Sequence, residues 1–80
     1  MNKVELQERL KSENYNTESY CLNGNTLMEG HCLDDRGEVW CTYYFERGVE
    51  FEFETFDSEA DACNRLYEKI INDPFMKRRR

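Results

Sequence analysis

Two stretches of the chain alternate between apolar and polar residues with a period of two, the pattern of β-strands that bury one face. They cover residues 38–45 and 49–56, and both are rich in aromatic and β-branched side chains. Only Glu46, Arg47 and Gly48 separate them. We therefore predict an antiparallel hairpin with a three-residue loop, in which Gly48 takes the left-handed conformation.

The loop length fixes the register, because a slip by one residue would turn every side chain to the other face. In the predicted register Tyr43 lies opposite Phe51 on an apolar face that packs on the last helix. The other face is then exposed and is predicted to bind a partner through six residues: Trp40, Thr42, Tyr44, Glu50, Glu52 and Glu54. The pattern equally fits a structural interpretation, in which the first helix covers Trp40 and the glutamates keep the sheet soluble.

Two helices flank the strands in the sequence. Asn2 followed three residues later by Glu5 is typical of a capping box and predicts a helix over residues 3–12. Ser58 and Asp61 have the same spacing before a second helix, which ends before Pro74. Its apolar stripe comprises Ala62, Cys63, Leu66, Tyr67, Ile70 and Ile71.

The remaining segments predict a strand over residues 27–33, a reversal at residues 34–37 and a brief extended piece at residues 19–22. We therefore expect an α+β fold: an antiparallel sheet of three to four strands, with an N-terminal and a C-terminal helix packed on it. A chain of 80 residues forms one domain, which we assign to residues 1–76, followed by a basic tail at residues 77–80.

Charge is distributed unevenly along the chain. The formal net charge is -6, but the last four residues are all basic. Without them, seven cationic residues face seventeen acidic ones, a net charge of -10. Such a surface attracts basic partners and repels nucleic acid and anionic membranes. Residues 77–80 could contact nucleic acid, but a solvated tail is the favoured interpretation.

Targeting signals and metal motifs give little indication of function. No apolar run approaches the roughly 18 residues of a membrane span, and the first residues do not resemble a secretory signal, so we expect a cytoplasmic protein. Reduced, buried thiols are expected for Cys21, Cys32, Cys41 and Cys63. A zinc site with His31 would need these scattered cysteines without a paired spacing, so we predict no metal and no cofactor.

Motifs for catalysis are also lacking in the sequence. The four glycines stand apart, without a phosphate-binding loop, and no cysteine is singled out as a nucleophile. The acidic pairs fall in a predicted turn and a strand, where no cleft is implied. We therefore predict a protein without enzymatic activity.

The order of several short motifs resembles a family of small immunity proteins from bacterial polymorphic toxin systems. These motifs are Trp40 with Tyr43-Tyr44, the Glu46-Arg47-Gly48 turn, residues 53–56, and Ser58-Glu59 with Ala62-Cys63, and an earlier Tyr20-x-Leu22-Asn23-Gly24 fits as well. The resemblance implies a cytosolic protein that binds and neutralises a toxin domain. Many such toxins are nucleases with basic clefts, which an acidic surface can occupy.

Two other functions remain open on the sequence. One is a homodimeric adaptor or regulator that associates through a sheet edge or through the face of Trp40. The other is a metal-binding regulator that uses His31 and the cysteines. Self-association would indicate the first, and folding that depends on a metal would indicate the second.

Overall fold

The computed structural model describes residues 1–24 and 29–73, which form two helices and one four-stranded sheet. In chain order the elements are α1 (Lys3–Ser12), β1 (Tyr20–Cys21), β2 (Glu29–Asp35), β3 (Trp40–Glu46), β4 (Val49–Phe56) and α2 (Glu59–Asn72). The predicted α+β fold is confirmed.

The sheet has the strand order β1-β2-β3-β4. Strands β2, β3 and β4 are antiparallel neighbours, as predicted. The two-residue strand β1 pairs in parallel with β2, with Tyr20 opposite His31. β4 therefore forms one edge of the sheet, while the short β1 forms the other.

Both helix starts are confirmed in their atomic detail. The Asn2 side chain accepts a hydrogen bond from the Glu5 backbone N–H at 2.8 Å, and the Glu5 carboxylate accepts one from the Asn2 backbone at 2.9 Å. The Ser58 hydroxyl accepts from the Asp61 backbone N–H at 3.2 Å. These caps satisfy backbone donors that the first turn of each helix leaves unpaired.

The main core lies between one face of the sheet and the two helices, which pack side by side. Helix α1 contributes Leu6 and Leu10, and helix α2 contributes the buried part of its apolar stripe, Ala62, Cys63, Leu66 and Ile70. From the sheet they meet Leu33, with Trp40 and Phe56 packed at the margin. The other face of the sheet carries a second, smaller cluster of Cys21, Cys32, Cys41 and Tyr43.

The predicted loop between β3 and β4 is wrong. Glu46 belongs to the ladder and pairs with Val49, so the turn contains only Arg47 and Gly48. Both have positive φ, 51° and 82°, the conformation of a type I′ turn. This turn is favoured in two-residue hairpins because its twist matches that of the flanking strands.

A β-bulge compensates for the shorter loop. Tyr44 lies opposite Phe51, and Thr42, two residues before it on β3, lies opposite Glu54, which is three residues after Phe51 on β4. Strand β4 therefore contains one extra residue between these two pairs. Glu52, within this extra stretch, has a φ of 54°. The bulge places Phe51 and Phe53 on different faces, and Phe53 stacks on Tyr43 with 6.1 Å between the ring centroids.

The predicted orientation of the hairpin is also wrong. Helix α2 covers the face of Trp40, Thr42 and Tyr44, and Thr42 is completely buried. The hairpin has apolar residues on both faces, so a period of two could not show which face the helices would cover. The alternative interpretation places Trp40 under the first helix. Trp40 does pack against the main core, to which α1 contributes Leu6 and Leu10.

The predicted basic tail and the first two residues of the predicted strand 27–33 lie outside the described residues. Within residues 1–24 and 29–73, neither helix is long and apolar enough to cross a membrane.

Candidate functional site

A groove of about 710 Å³ lies between the C-terminal half of α2 and the turn end of the β3–β4 hairpin. Its volume falls within the range of about 300–1,000 Å³ that is typical of ligand pockets. The residues that line it are His31, Tyr44, Glu46, Phe51, Glu52, Arg65, Glu68, Lys69, Asn72 and Asp73.

Two aromatic residues form the apolar part of the groove. Tyr44 and Phe51 are direct cross-strand neighbours, so their side chains share one face of the sheet. Tyr44 is half-buried, with the His31 ring edge-on to it at 5.0 Å between centroids. Phe51 is 47% exposed, which leaves a large apolar side chain available for contact with a partner.

The bulge at Glu52 lies in the wall of the groove, next to Phe51. An L-residue with positive φ is strained, and such residues are often found where a bulge redirects a side chain. The ammonium group of Lys69 donates a hydrogen bond to the Glu52 carbonyl oxygen at 3.1 Å. Helix α2 therefore contacts the irregular segment of β4, and Glu52 is one of the residues that line the groove.

The two cationic side chains in the wall of the groove are neutralised by neighbouring glutamates. Lys69 Nζ lies 2.6 Å from Glu54 Oε2, and Arg65 Nε lies 3.2 Å from the same oxygen. Arg65 also pairs with Glu68 at 2.6 Å. The hydrogen bond from Lys69, with a smaller effect of Arg65, lowers the pKa of Glu54 below its usual value.

At the end of α2, Asp73 connects the helix to the sheet. Its Oδ2 lies 2.7 Å from His31 Nε2, and only 6% of the His31 side chain is exposed. His31 faces α2, whereas Cys32 faces the opposite side of the sheet. Because side chains alternate along the strand, His31 and Cys32 cannot both point to one zinc site on either face. No group of three or more potential metal ligands occurs among the described residues.

The groove has an excess of negative charge. Neither Glu46 nor Glu52 has an ion-pair partner for its carboxylate among residues 1–24 and 29–73. Glu29 lies directly opposite Glu46 on β2, an arrangement of like charges that destabilises a sheet. Burial raises the pKa of the Tyr44 hydroxyl, and the carboxylates of Glu29, Glu46 and Asp73 raise it further.

The six residues of the predicted partner-binding face do not form one exposed surface. Trp40 and Thr42 pack towards the helices, and Glu54 pairs with α2. Glu50 lies on the other side of the sheet and pairs with Arg36 at 2.8 Å. Only Tyr44 and Glu52 of the six line the groove.

Sequence reasoning missed Phe51 and Glu46 as site residues, together with every groove residue from α2. Phe51 stands between two glutamates in the sequence, which is a usable signal for an exposed aromatic residue. The predicted three-residue loop places Glu46 in the turn, whereas it belongs to β3 and pairs with Val49. No sequence signal indicated the bulge at Glu52.

The cysteines lack the properties of nucleophiles. All four are buried. Burial raises the pKa of the Cys32 thiol to about 12 and that of the Cys63 thiol to about 11, and it also raises the pKa of Cys41. A nucleophilic cysteine needs the thiolate form near neutral pH, so these thiols serve as small core residues.

Comparisons of the chain with protein-family models, with curated proteins and with solved structures gave no match. The resemblance to immunity proteins therefore stays a prediction.

Proposed function

We propose that this protein is an immunity protein, which binds a cationic toxin domain and neutralises it without any catalytic activity. The proposal combines the motif resemblance with the charge of -10 that the chain carries outside its last four residues. The observation that carries it is the acidic groove, which is lined by Glu46, Glu52 and an exposed Phe51.

The proposed mechanism is steric and electrostatic blockade. A negative field accelerates the encounter with a basic active-site cleft, such as that of a nuclease, and this acceleration weakens as salt is added. Burial of Phe51 in the complex slows dissociation, because large aromatic side chains in desolvated contacts contribute most to interface affinity. Carboxylates in the cleft then occupy the positions that substrate phosphates would take.

Co-expression with the product of the adjacent gene tests this function. If that product is a toxin domain, we expect this protein to restore growth of cells that produce it and to co-purify with it. The association rate should fall steeply between low and physiological salt. Growth arrest that persists with this protein present, or an adjacent product that neither is toxic nor binds, would refute the proposal.

The alternative is a homodimeric adaptor that associates through the exposed edge strand β4, on which Val49, Phe51 and Phe53 are all about half-exposed. The bulge at Glu52 interrupts this edge, and the glutamates of β4 would repel those of a second copy. Bulges and charged side chains on an edge strand both oppose pairing between copies. Light scattering over a range of concentrations distinguishes the two, since a stable dimer would favour the adaptor.

A further inference from the structure

We infer that the acidic groove binds an arginine side chain of the partner protein, between the aromatic pair Tyr44 and Phe51 and the carboxylates of Glu46 and Glu52. This inference rests on the proposed function, which it deepens by naming the chemical group that is recognised and the place where it binds.

The opposite face of the same hairpin contains an arginine held in this way. The Arg36 guanidinium lies over the rings of Phe53 and Tyr43, at 5.2 Å and 5.4 Å from their centroids. At the same time it donates hydrogen bonds to Asp34 at 2.9 Å and to Glu50 at 2.8 Å. One Tyr, one Phe and two carboxylates thus form a complete arginine site in this molecule.

The groove presents the same kinds of groups, here all from β3 and β4, whereas Asp34 of the first site lies on β2. Tyr44 replaces Tyr43, Phe51 replaces Phe53, and Glu46 and Glu52 supply the two carboxylates. Unlike the first site, these carboxylates have no cation among the described residues. The two described cations that line the same groove, Arg65 and Lys69, are engaged by Glu54 and Glu68.

Arginine fits this arrangement better than lysine. A guanidinium is planar, so it can stack on Phe51 while its N–H groups bond to carboxylates on either side. A lysine ammonium is a compact and strongly hydrated charge, which gains less from the aromatic surface. The groove should therefore discriminate between the two cations, whereas a diffuse acidic surface would not.

The direct test is titration of the isotope-labelled protein with the peptide acetyl-Gly-Arg-Arg-Gly-amide, followed by amide NMR. We expect shifts confined to the groove, at residues such as Glu46, Phe51 and Glu52, and binding several-fold tighter than that of the matched lysine peptide. The double variant E46Q/E52Q should weaken arginine binding by about fivefold or more, as expected for two partly exposed ion pairs.

The control is E8Q/E18Q, which removes the same charge from exposed positions outside the groove. It should leave peptide binding within about twofold of the unchanged protein, since distant exposed charges are screened by salt. Phe51→Ala tests the aromatic contribution and should reduce the preference for arginine over lysine. Thermal unfolding of each variant establishes that a loss of binding does not arise from a loss of folding.

Several results would overturn the inference. Shifts spread over the whole acidic surface, equal binding of the arginine and lysine peptides, or equal weakening by both double variants would indicate unspecific attraction. If deletion of residues 77–80 alone shifted the groove amides and tightened peptide binding, the occupant would be the basic segment of the chain itself. Concentration-dependent shifts without peptide would indicate a second copy.

The outcome can be separated from that of the proposed function. If a cognate toxin binds E46Q/E52Q as tightly as the unchanged protein, the docking site is wrong while the immunity function stands. If the groove binds the arginine peptide but the protein protects against no toxin, the arginine site stands and the immunity function is wrong.

Discussion

Glu54 on the edge strand and Lys69 on α2 form an ion pair with 2.6 Å between Oε2 and Nζ, and only 9% of the Lys69 side chain is exposed. Lys69 donates a second hydrogen bond to the Glu52 carbonyl oxygen. One largely buried lysine side chain therefore joins the helix, the edge strand and the bulge. Lys69 and Glu52 both line the groove.

Glu54→Gln should destabilise the protein by about 1 kcal/mol, the upper range for a partly exposed pair. Because pairing lowers the pKa of Glu54, the charged pair contributes its stability above the usual carboxyl pKa of 4.5 and loses it as the pH falls through the lower folded value. Urea unfolding at pH 7 and at pH 3 measures this difference, which should be smaller at pH 3 than at pH 7. Glu8→Gln, at an exposed position on α1, is the matched control, and an equal loss in both variants would contradict the role of Lys69.

Arg47→Asn should stabilise the hairpin by roughly 1 kcal/mol, because a left-handed conformation costs most L-residues about that amount and Asn tolerates it. Arg47 has a φ of 51° at the first position of the turn. Thermal unfolding would record a higher melting temperature. A lower one would show that Arg47 makes a contact that outweighs its backbone strain.

Gly48→Val should have the opposite effect and lower the melting temperature. A Cβ atom on Gly48 would meet no atom within 4 Å, so steric overlap cannot be the cause. The cost comes from its φ of 82°, which a β-branched residue adopts only with strain. An unchanged melting temperature would mean that the turn has another conformation in solution.

Thr42→Val should leave the free energy of unfolding unchanged or raise it by up to about 1 kcal/mol. Burial of a hydroxyl without a hydrogen-bond partner is unfavourable, whereas burial of a methyl group of the same shape is not. Thr42 is fully buried, and its Oγ1 has no hydrogen-bond partner among the described residues. Chemical denaturation measures the change. Clear destabilisation would indicate that the hydroxyl is hydrogen-bonded and that this part of the core differs from the one described.

The cysteines should react with iodoacetamide far more slowly in the folded protein than in urea at the same pH. Burial removes access, and the raised pKa values of Cys32 and Cys63 leave little thiolate at pH 8. Mass spectrometry of labelled protein would then count few modified thiols in the native state and all four after unfolding. Rapid native labelling of Cys32 would contradict its burial.

Local signals in the sequence were sufficient for the secondary structure. The Asn2–Glu5 capping box and the Ser58 cap fixed the starts of both helices, because the groups involved lie within one helical turn. The alternation of residues 49–56 identified β4 with its observed bounds. The α+β fold follows from these elements and from their apolar faces.

The candidate site could not be predicted from local sequence patterns, because it depends on which face of the sheet is covered and on the position of the bulge. Trp40 and Tyr44 on one face and Tyr43 and Phe45 on the other make both faces of β3 apolar, so the pattern alone allowed either face to be covered. The bulge at Glu52 placed Phe53 on the face opposite to that of Phe51, although nothing in the spacing of the glutamates required it.

The sequence by itself determined which segments become helices and strands, since capping and alternation act between residues a few positions apart. Only the tertiary structure decided that α2 packs over Thr42 and that Lys69 neutralises Glu54 while Glu46 and Glu52 remain without a cation among the described residues. These relationships join parts of the chain that are distant in sequence, and they depend on how all elements pack together. The composition made the protein acidic, but the fold selected which carboxylates are available to a partner.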